Sequence, residues 1–121
     1  MWKFGIRGVP LIVLAAICTW PRTGLGQEEV HLQGEILDMV SYMTKGGSVG
    51  LEEHAQQCAK KGEPIGLLTD DGQLYLLVDD HNNPDPYDVA KRLGGKRTAV
   101  TGRKFNKQAV ASIVVEDVKG Q

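Results

Sequence analysis

A histidine and a cysteine four residues apart are the side chains best suited to chemistry in this sequence. His54 and Cys58 lie in residues 51–61 (LEEHAQQCAKK), which predict a short helix with Glu52 and Glu53 in its first turn. Side chains four residues apart on a helix lie on the same side, one turn from each other. Imidazole and thiolate both bind transition metals, so the pair predicts part of a Zn or Cu site.

A metal site needs more ligands than this pair supplies. The residues that carry a suitable third ligand atom are Asp38, Met39, Met43, His81 and His31. The alternative is that Cys58 packs under the helix as a small hydrophobic residue and that His54 lies at the helix edge, since free cysteines are commonly buried in this way. The sequence alone favours this second interpretation, because a spacing of four on one helix is not specific to metal binding.

The N-terminal residues have the pattern of a secretory signal peptide. Positive residues precede an apolar run of eleven, residues 9–19, and residues 24–26 (GLG) place small side chains at a cleavage site. The run is shorter than the roughly 20 apolar residues that span a bilayer. We therefore predict that residues 1–26 are removed on export to the periplasm or the medium, and that residues 27–121 form one small domain. The alternatives are retention of the segment as an N-terminal anchor and lipid attachment at Cys18, which the bulky Ile17 before it disfavours.

Removal of the signal peptide changes both the charge and the cysteine count of the domain. The chain has 14 Lys+Arg and 15 Asp+Glu, and the loss of three cations with the signal leaves 11 against 15, a net charge of −4. Net negative charge disfavours nucleic-acid binding, which depends on cationic side chains that neutralise phosphates. Cys18 also leaves with the signal, so Cys58 has no partner for a disulfide within the domain.

Residues 65–80 (IGLLTDDGQLYLLVDD) predict a β-hairpin at the centre of the fold. Two apolar runs flank an Asp-Asp-Gly sequence, and Asp-Gly supplies the positive φ of a hairpin loop. The residues predicted for one face are Leu67, Leu74, Leu76 and Val78, and those for the other are Leu68, Tyr75 and Leu77. Strands without polar alternation are covered on both sides. The helix at 51–61 is the candidate for the second cover.

The remaining segments complete a five-stranded pattern. They are a first strand at 30–43 bent at Gly34, a helix that begins at the N-cap Asp85, a fourth strand at 96–105, a turn at 106–108 and a fifth strand at 109–118. A five-stranded Greek-key barrel with a helix between its third and fourth strands is the arrangement of the OB-fold. We predict a mainly β, OB-fold-like barrel with an extra short helix between strands one and two.

A resemblance to a known family extends over most of this domain. Residues 34–43 (GEILDMVSYM), 53–81 (EHAQQCAKKGEPIGLLTDDGQLYLLVDDH) and 87–102 (YDVAKRLGGKRTAVTG) resemble, in this order, a family of small exported bacterial OB-fold-like proteins. The family is largely uncharacterised, so the resemblance implies a fold rather than an activity. Its members carry a cysteine after the aspartate of strand one and two on the inserted helix, which implies a metal or redox cluster. Here Ser41 stands at the first position and His54 in place of one helix cysteine.

Two other charged groups are less suited to binding. The acidic group consists of Asp70, Asp71, Asp79 and Asp80, and the basic group of Lys96, Arg97, Arg103, Lys104 and Lys107. The acids lack the alternating loop and closing Glu of an EF-hand. Phe105 is the only aromatic residue near the cations, so a platform for stacking bases is missing.

The functional prediction follows from these exclusions. The sequence contains no evident pairing of a nucleophile with a base and no paired carboxylates, which argues against an enzyme. We predict a non-catalytic, exported binding or accessory domain whose ligand is a protein or a small molecule. The alternative is a protein that handles metal or redox chemistry through His54 and Cys58.

Overall fold

The computed structural model describes Gly8, residues 28–45 and residues 52–121. The elements are β1 (Glu28–Asp38), α1 (Met39–Lys45), α2 (Glu52–Lys60), β2 (Ile65–Thr69), β3 (Leu74–Val78), α3 (Asp85–Arg92), β4 (Arg97–Lys107) and β5 (Val110–Gly120). Apart from Gly8, the predicted signal peptide lies outside the described residues. Among the residues that are described, no helix combines the length and the apolar character needed to cross a bilayer.

The five strands close into a barrel in the order β1-β2-β3-β5-β4. All neighbouring strands are antiparallel except β3 and β5, which run parallel. The predicted mainly β, OB-fold-like barrel is confirmed, with α3 between β3 and β4. The long strand β1 pairs with β4 through residues 28–35 and with β2 through residues 34–38. The two ladders overlap at Gly34 and Glu35, so the predicted position of the bend is where β1 passes from one neighbour to the other.

The interior of the barrel is apolar. Its buried cluster consists of Ile36, Ala59, Ile65, Leu67, Tyr75, Leu77, Ala90, Val100, Ile113, Val115 and Val118. Every strand contributes to this cluster, and α2 and α3 each add one alanine. Small side chains on the helices allow them to lie close to the barrel, which fixes the position of α2 and of the polar residues that it carries.

The predicted first strand is too long at its C-terminal end. Strand β1 ends at Asp38 and residues 39–45 form α1. The carboxylate of Asp38 causes this change, because it accepts the backbone N–H of Val40 at 3.1 Å and that of Ser41 at 3.4 Å. A side chain that accepts these first free N–H groups is a helix N-cap. Among the described residues, two helices therefore lie between strands one and two, where the sequence predicts one.

The predicted assignment of side chains to the two faces of the central hairpin is also wrong. Leu67 pairs with Tyr75 and Leu68 with Leu74, so Leu67 lies on the same face as Tyr75 and Leu77 and points into the barrel. The loop sets this register, because Thr69 and Gln73 close it through a backbone hydrogen bond of 2.9 Å. A shift of one residue moves every side chain of a strand to the opposite face. The outward residues of β3 are Leu74, Leu76 and Val78, and they are half-buried.

The second cover of the hairpin is not α2. Helix α2 packs mainly against α3 and β1, whereas Met39 of α1 places its sulfur against Gly66 on β2.

Two smaller predictions also need correction. Asp85 is the first residue of α3 rather than its cap, and the turn between β4 and β5 lies at Gln108 and Ala109, both with positive φ.

Candidate metal site

Helix α2 ends in a way that fixes the cysteine in place. Gly62 has a φ of 91° and donates its N–H to the carbonyl of Ala59 at 3.0 Å, while Glu63 donates to the carbonyl of Cys58 at 3.1 Å. These two bonds form the Schellman ending that glycine favours after a helix. The predicted helix end at Gly62 is confirmed. Cys58 is a free, buried cysteine in the last turn, and its side chain faces the end of β1.

The predicted pair is in contact, and one of the five candidates for a third ligand joins it. Cys58 Sγ lies 3.6 Å from His54 Nε2, and His54 Nε2 lies 3.9 Å from Asp38 Oδ2. The three ligand atoms all lie within 4.8 Å of one another. Within residues 28–45 and 52–121, this is the one group of three or more His, Cys, Asp or Glu side chains close enough to hold a metal ion.

The other candidates for a third ligand lie elsewhere. His31 on β1 bonds through Nδ1 to the hydroxyl of Thr101 at 2.9 Å, and His81 lies in an exposed turn after β3. Neither histidine belongs to the group around Cys58. The sulfur of Met39 contacts β2, and Met43 is 70% exposed on α1. Asp38 is selected because it caps α1, which points its carboxylate toward α2.

Ser41 is the fourth polar residue of this cluster. Its hydroxyl lies 3.1 Å from His54 Nε2, and the residue is only 5% exposed. Spacing along the sequence gives no reason to include Ser41, but the family resemblance marks this position. We call Asp38, Ser41, His54 and Cys58 the Asp38 cluster.

Protonation in the Asp38 cluster is set by burial and hydrogen bonds. Burial raises the pKa of Asp38, but hydrogen bonds from Ser41, Cys58 and the backbone of Val40 outweigh burial and lower it below its usual value. Burial, together with hydrogen bonding to Glu63 and the charge of Asp38, raises the pKa of the Cys58 thiol to about 11. At neutral pH the cluster therefore contains a carboxylate anion and a neutral thiol.

The arrangement does not match a catalytic triad. In a Ser-His-Asp triad the acid bonds Nδ1 and the serine bonds Nε2 of the same imidazole. Here the Ser41 hydroxyl and the Asp38 carboxylate both approach Nε2 of His54. A thiol with a raised pKa is also a poor nucleophile, because thiolate is the reactive form. The cluster is better arranged to surround a cation than to activate a nucleophile.

The two charged groups from the sequence are partly paired with each other. Arg97 binds both carboxylate oxygens of Asp70, at 2.7 and 2.6 Å. Arg103 forms ion pairs with Asp80 and Glu116, and the ammonium of Lys104 lies 5.5 Å from the centre of the Tyr75 ring. The ion pairs neutralise Arg97 and Arg103, two of the five residues of the basic group.

Comparison of the chain with models of protein families, with curated proteins and with solved structures finds no match. The family resemblance therefore stays a prediction, and the geometry of the Asp38 cluster is the evidence on function that the molecule provides.

Proposed function

We propose that this protein is an exported, non-catalytic binding protein whose ligand is a transition metal ion. Asp38, His54 and Cys58 supply the protein ligands, and the OB-fold-like barrel holds their elements in place. Export is inferred from the signal-peptide pattern of residues 1–26. This proposal joins the two functions that the sequence left as alternatives, a binding domain and a metal-handling protein.

The convergence of Asp38 on the His54 and Cys58 pair carries the proposal. Zn²⁺ binds sulfur at about 2.3 Å and nitrogen or oxygen at about 2.0–2.2 Å, so neighbouring ligands of a tetrahedral ion lie about 3.3–3.6 Å apart. The sulfur–nitrogen distance of 3.6 Å already has this value, and the nitrogen–oxygen distance of 3.9 Å is a few tenths of an ångström longer. All three ligand atoms lie within 4.8 Å of one another, so a bound ion would have to draw them closer through small side-chain rotations.

The ligand types favour Zn²⁺ over Cu⁺. One thiolate and one carboxylate together neutralise a divalent cation, whereas Cu⁺ prefers sulfur ligands and gains little from a carboxylate. Three protein ligands leave a fourth tetrahedral position for water or for another molecule. The side chain of His54 is 44% exposed, so this side of the cluster is open to solvent.

Thermal melting of the purified, reduced protein with Zn²⁺ or Cu⁺ tests the proposal. A ligand that binds only the folded state stabilises it by about 2.7 kcal/mol at a hundred times its dissociation constant. We expect Zn²⁺ to raise the Tm, and Cys58→Ala and His54→Ala to abolish the rise, because each removes one ligand. His81→Ala is the matched control, since it removes an exposed histidine outside the cluster and should keep the full rise.

Proton release provides a second test. The thiol must lose its proton to bind a metal, and burial and nearby carboxylates raise its pKa to about 11. Metal affinity should therefore increase by up to about tenfold per pH unit between pH 6 and 9.

The melting experiment also has an outcome that contradicts the proposal. If neither metal changes the Tm of the wild type, the cluster is a packing arrangement. In that case Cys58→Ala would cost modest stability and His54→Ala almost none.

A further inference from the structure

A cleft lies on the flank of α2 opposite the Asp38 cluster. It has a volume of about 490 Å³ and is lined by Gln56 and Lys60 of α2 and by Asp88, Lys91 and Arg92 of α3. Pockets for small molecules have volumes of about 300–1,000 Å³. We call this site the α2–α3 cleft.

The walls of the α2–α3 cleft are held together directly. The amide of Gln56 donates to the carbonyl of Gly94 at 3.2 Å, just beyond the end of α3. A Cβ atom at Gly94 would lie only 3.1 Å from the backbone of Ala55, so glycine permits the close approach of this turn to α2. The two helices are therefore fixed relative to each other before any ligand enters, which lowers the entropy cost of binding.

The lining is cationic although the domain is acidic. Three cations face one carboxylate, and that carboxylate, on Asp88, lies 3.3 Å from the ammonium of Lys91. Among the described residues, Lys60 and Arg92 take part in none of the ion pairs. Residues 27–121 carry a net charge of −4, so the excess of positive charge in the cleft is opposite in sign to the net charge of these residues. The aliphatic stems of the same lysine and arginine side chains provide apolar surface.

We propose that the α2–α3 cleft binds a small organic carboxylate. Arg92 and Lys60 hold the carboxylate, since guanidinium matches its two oxygens and ammonium adds a mobile charge. The apolar part of the ligand lies along the side-chain stems. The site is independent of metal binding, because none of its lining residues belongs to the Asp38 cluster. The competing explanation is that Lys60 and Arg92 only stabilise the C-terminal ends of their helices, where cations are favourable.

Titration of the ¹⁵N-labelled protein with benzoate tests the proposal by NMR. Saturable shifts should appear in the amides of residues 56–60 and 88–94, and benzyl alcohol, the neutral analogue, should cause none. Lys60→Gln and Arg92→Gln should each weaken benzoate binding by about tenfold or more. Lys61→Gln is the matched control, because it removes a neighbouring exposed lysine outside the lining and should leave the affinity unchanged.

Each alternative gives a different result in the same titration. If Lys60 and Arg92 serve only their helix ends, both variants lower the Tm and benzoate causes no saturable shifts in the wild type. An equal loss in Lys61→Gln would show a diffuse charge effect and would overturn the site. Saturation by inorganic phosphate without saturation by benzoate would overturn the choice of a carboxylate. Lys60→Arg keeps the charge and should retain binding, which separates loss of the cation from loss of the fold.

Discussion

The barrel interior and three of the four residues of the Asp38 cluster are buried to a similar degree but differ in chemistry. Ile36 is fully buried in the interior, and Asp38, two residues later on the same strand, is 5% exposed. Burial of the apolar side chain stabilises the fold by itself. Burial of the carboxylate is unfavourable unless hydrogen bonds replace those that it makes with water. Val40 and Ser41 supply two such bonds from the start of α1.

The interior and the Asp38 cluster differ in whether a metal ion or a proton can change their contribution to stability. The buried apolar cluster contains no His, Cys, Asp or Glu side chain, so its contribution to stability does not depend on metal or on moderate pH changes. The Asp38 cluster contains a carboxylate, a thiol, an imidazole and a hydroxyl in mutual reach. Its hydrogen bonds and protons can be exchanged for metal bonds. Metal-dependent stability is therefore expected from the Asp38 cluster and not from the interior.

The largest stability effect should come from the interior. Leu77 is 3% exposed and points into the barrel, so Leu77→Ala should lower the free energy of unfolding by about 2–5 kcal/mol. Chemical denaturation measures this loss, which should be the same with and without Zn²⁺. Leu76→Ala is the control on the outward face, where the side chain is half-buried and should lose less. Equal losses at both positions would show that the outer face of the hairpin is covered as completely as the inner one.

The sequence predicts the barrel better than it predicts the site. The number and order of strands follow from apolar runs and turn residues, and the end of α2 follows from Gly62. The hairpin faces do not, because the hydrogen bond between Thr69 and Gln73 sets the register and apolar runs allow either choice. The spacing of His54 and Cys58 identifies half of the cluster. Asp38 is the third member of the proposed metal site, rather than another candidate, because it caps α1. The sequence does not predict this cap, because the apolar residues at 36–40 resemble a continuing strand.

An intermediate effect should come from the charged member of the cluster. Asp38→Ala removes the N-cap of α1 and should cost about 0.5–2 kcal/mol. Asp38→Asn keeps a capping oxygen and should cost less, while both variants should lose most metal affinity because the anionic ligand is gone. Melting curves with and without Zn²⁺ distinguish the two roles. A Tm shift with Zn²⁺ that survives in both variants would remove Asp38 from the site.

The same carboxylate gives a pH dependence of known sign in the metal-free protein. Burial raises the pKa of Asp38, but hydrogen bonds lower it below 3.8 in the folded state. The unfolded chain then binds the proton first as the pH falls, so this contribution is present above about pH 4 and is lost as the pH falls through the folded pKa. Acid denaturation of the wild type and of Asp38→Asn measures the difference. An unchanged acid limb would show that the carboxylate gains no stabilisation from its hydrogen bonds.

The smallest effect on stability, and the largest gain in binding, should come from Ser41→Cys. The change replaces one oxygen by sulfur at a residue that is 5% exposed and weakens a hydrogen bond worth about 0.5–1.5 kcal/mol, so the metal-free protein should lose less than about 1.5 kcal/mol. The Ser41 hydroxyl lies 3.1 Å from His54 Nε2, and a thiolate there would add a fourth protein ligand to the proposed ion. Four ligands including two thiolates form a closed tetrahedral Zn²⁺ site, whereas an alcohol is a poor ligand. Zn²⁺ affinity, measured by competition with a chromogenic chelator, should therefore increase by about tenfold or more.

Ser112→Cys on β5 is the matched control, because it adds a cysteine outside the cluster and should leave the affinity unchanged. Equal gains in the two variants would mean that any added thiol binds Zn²⁺. No gain in either variant would mean that the Asp38 cluster does not surround an ion.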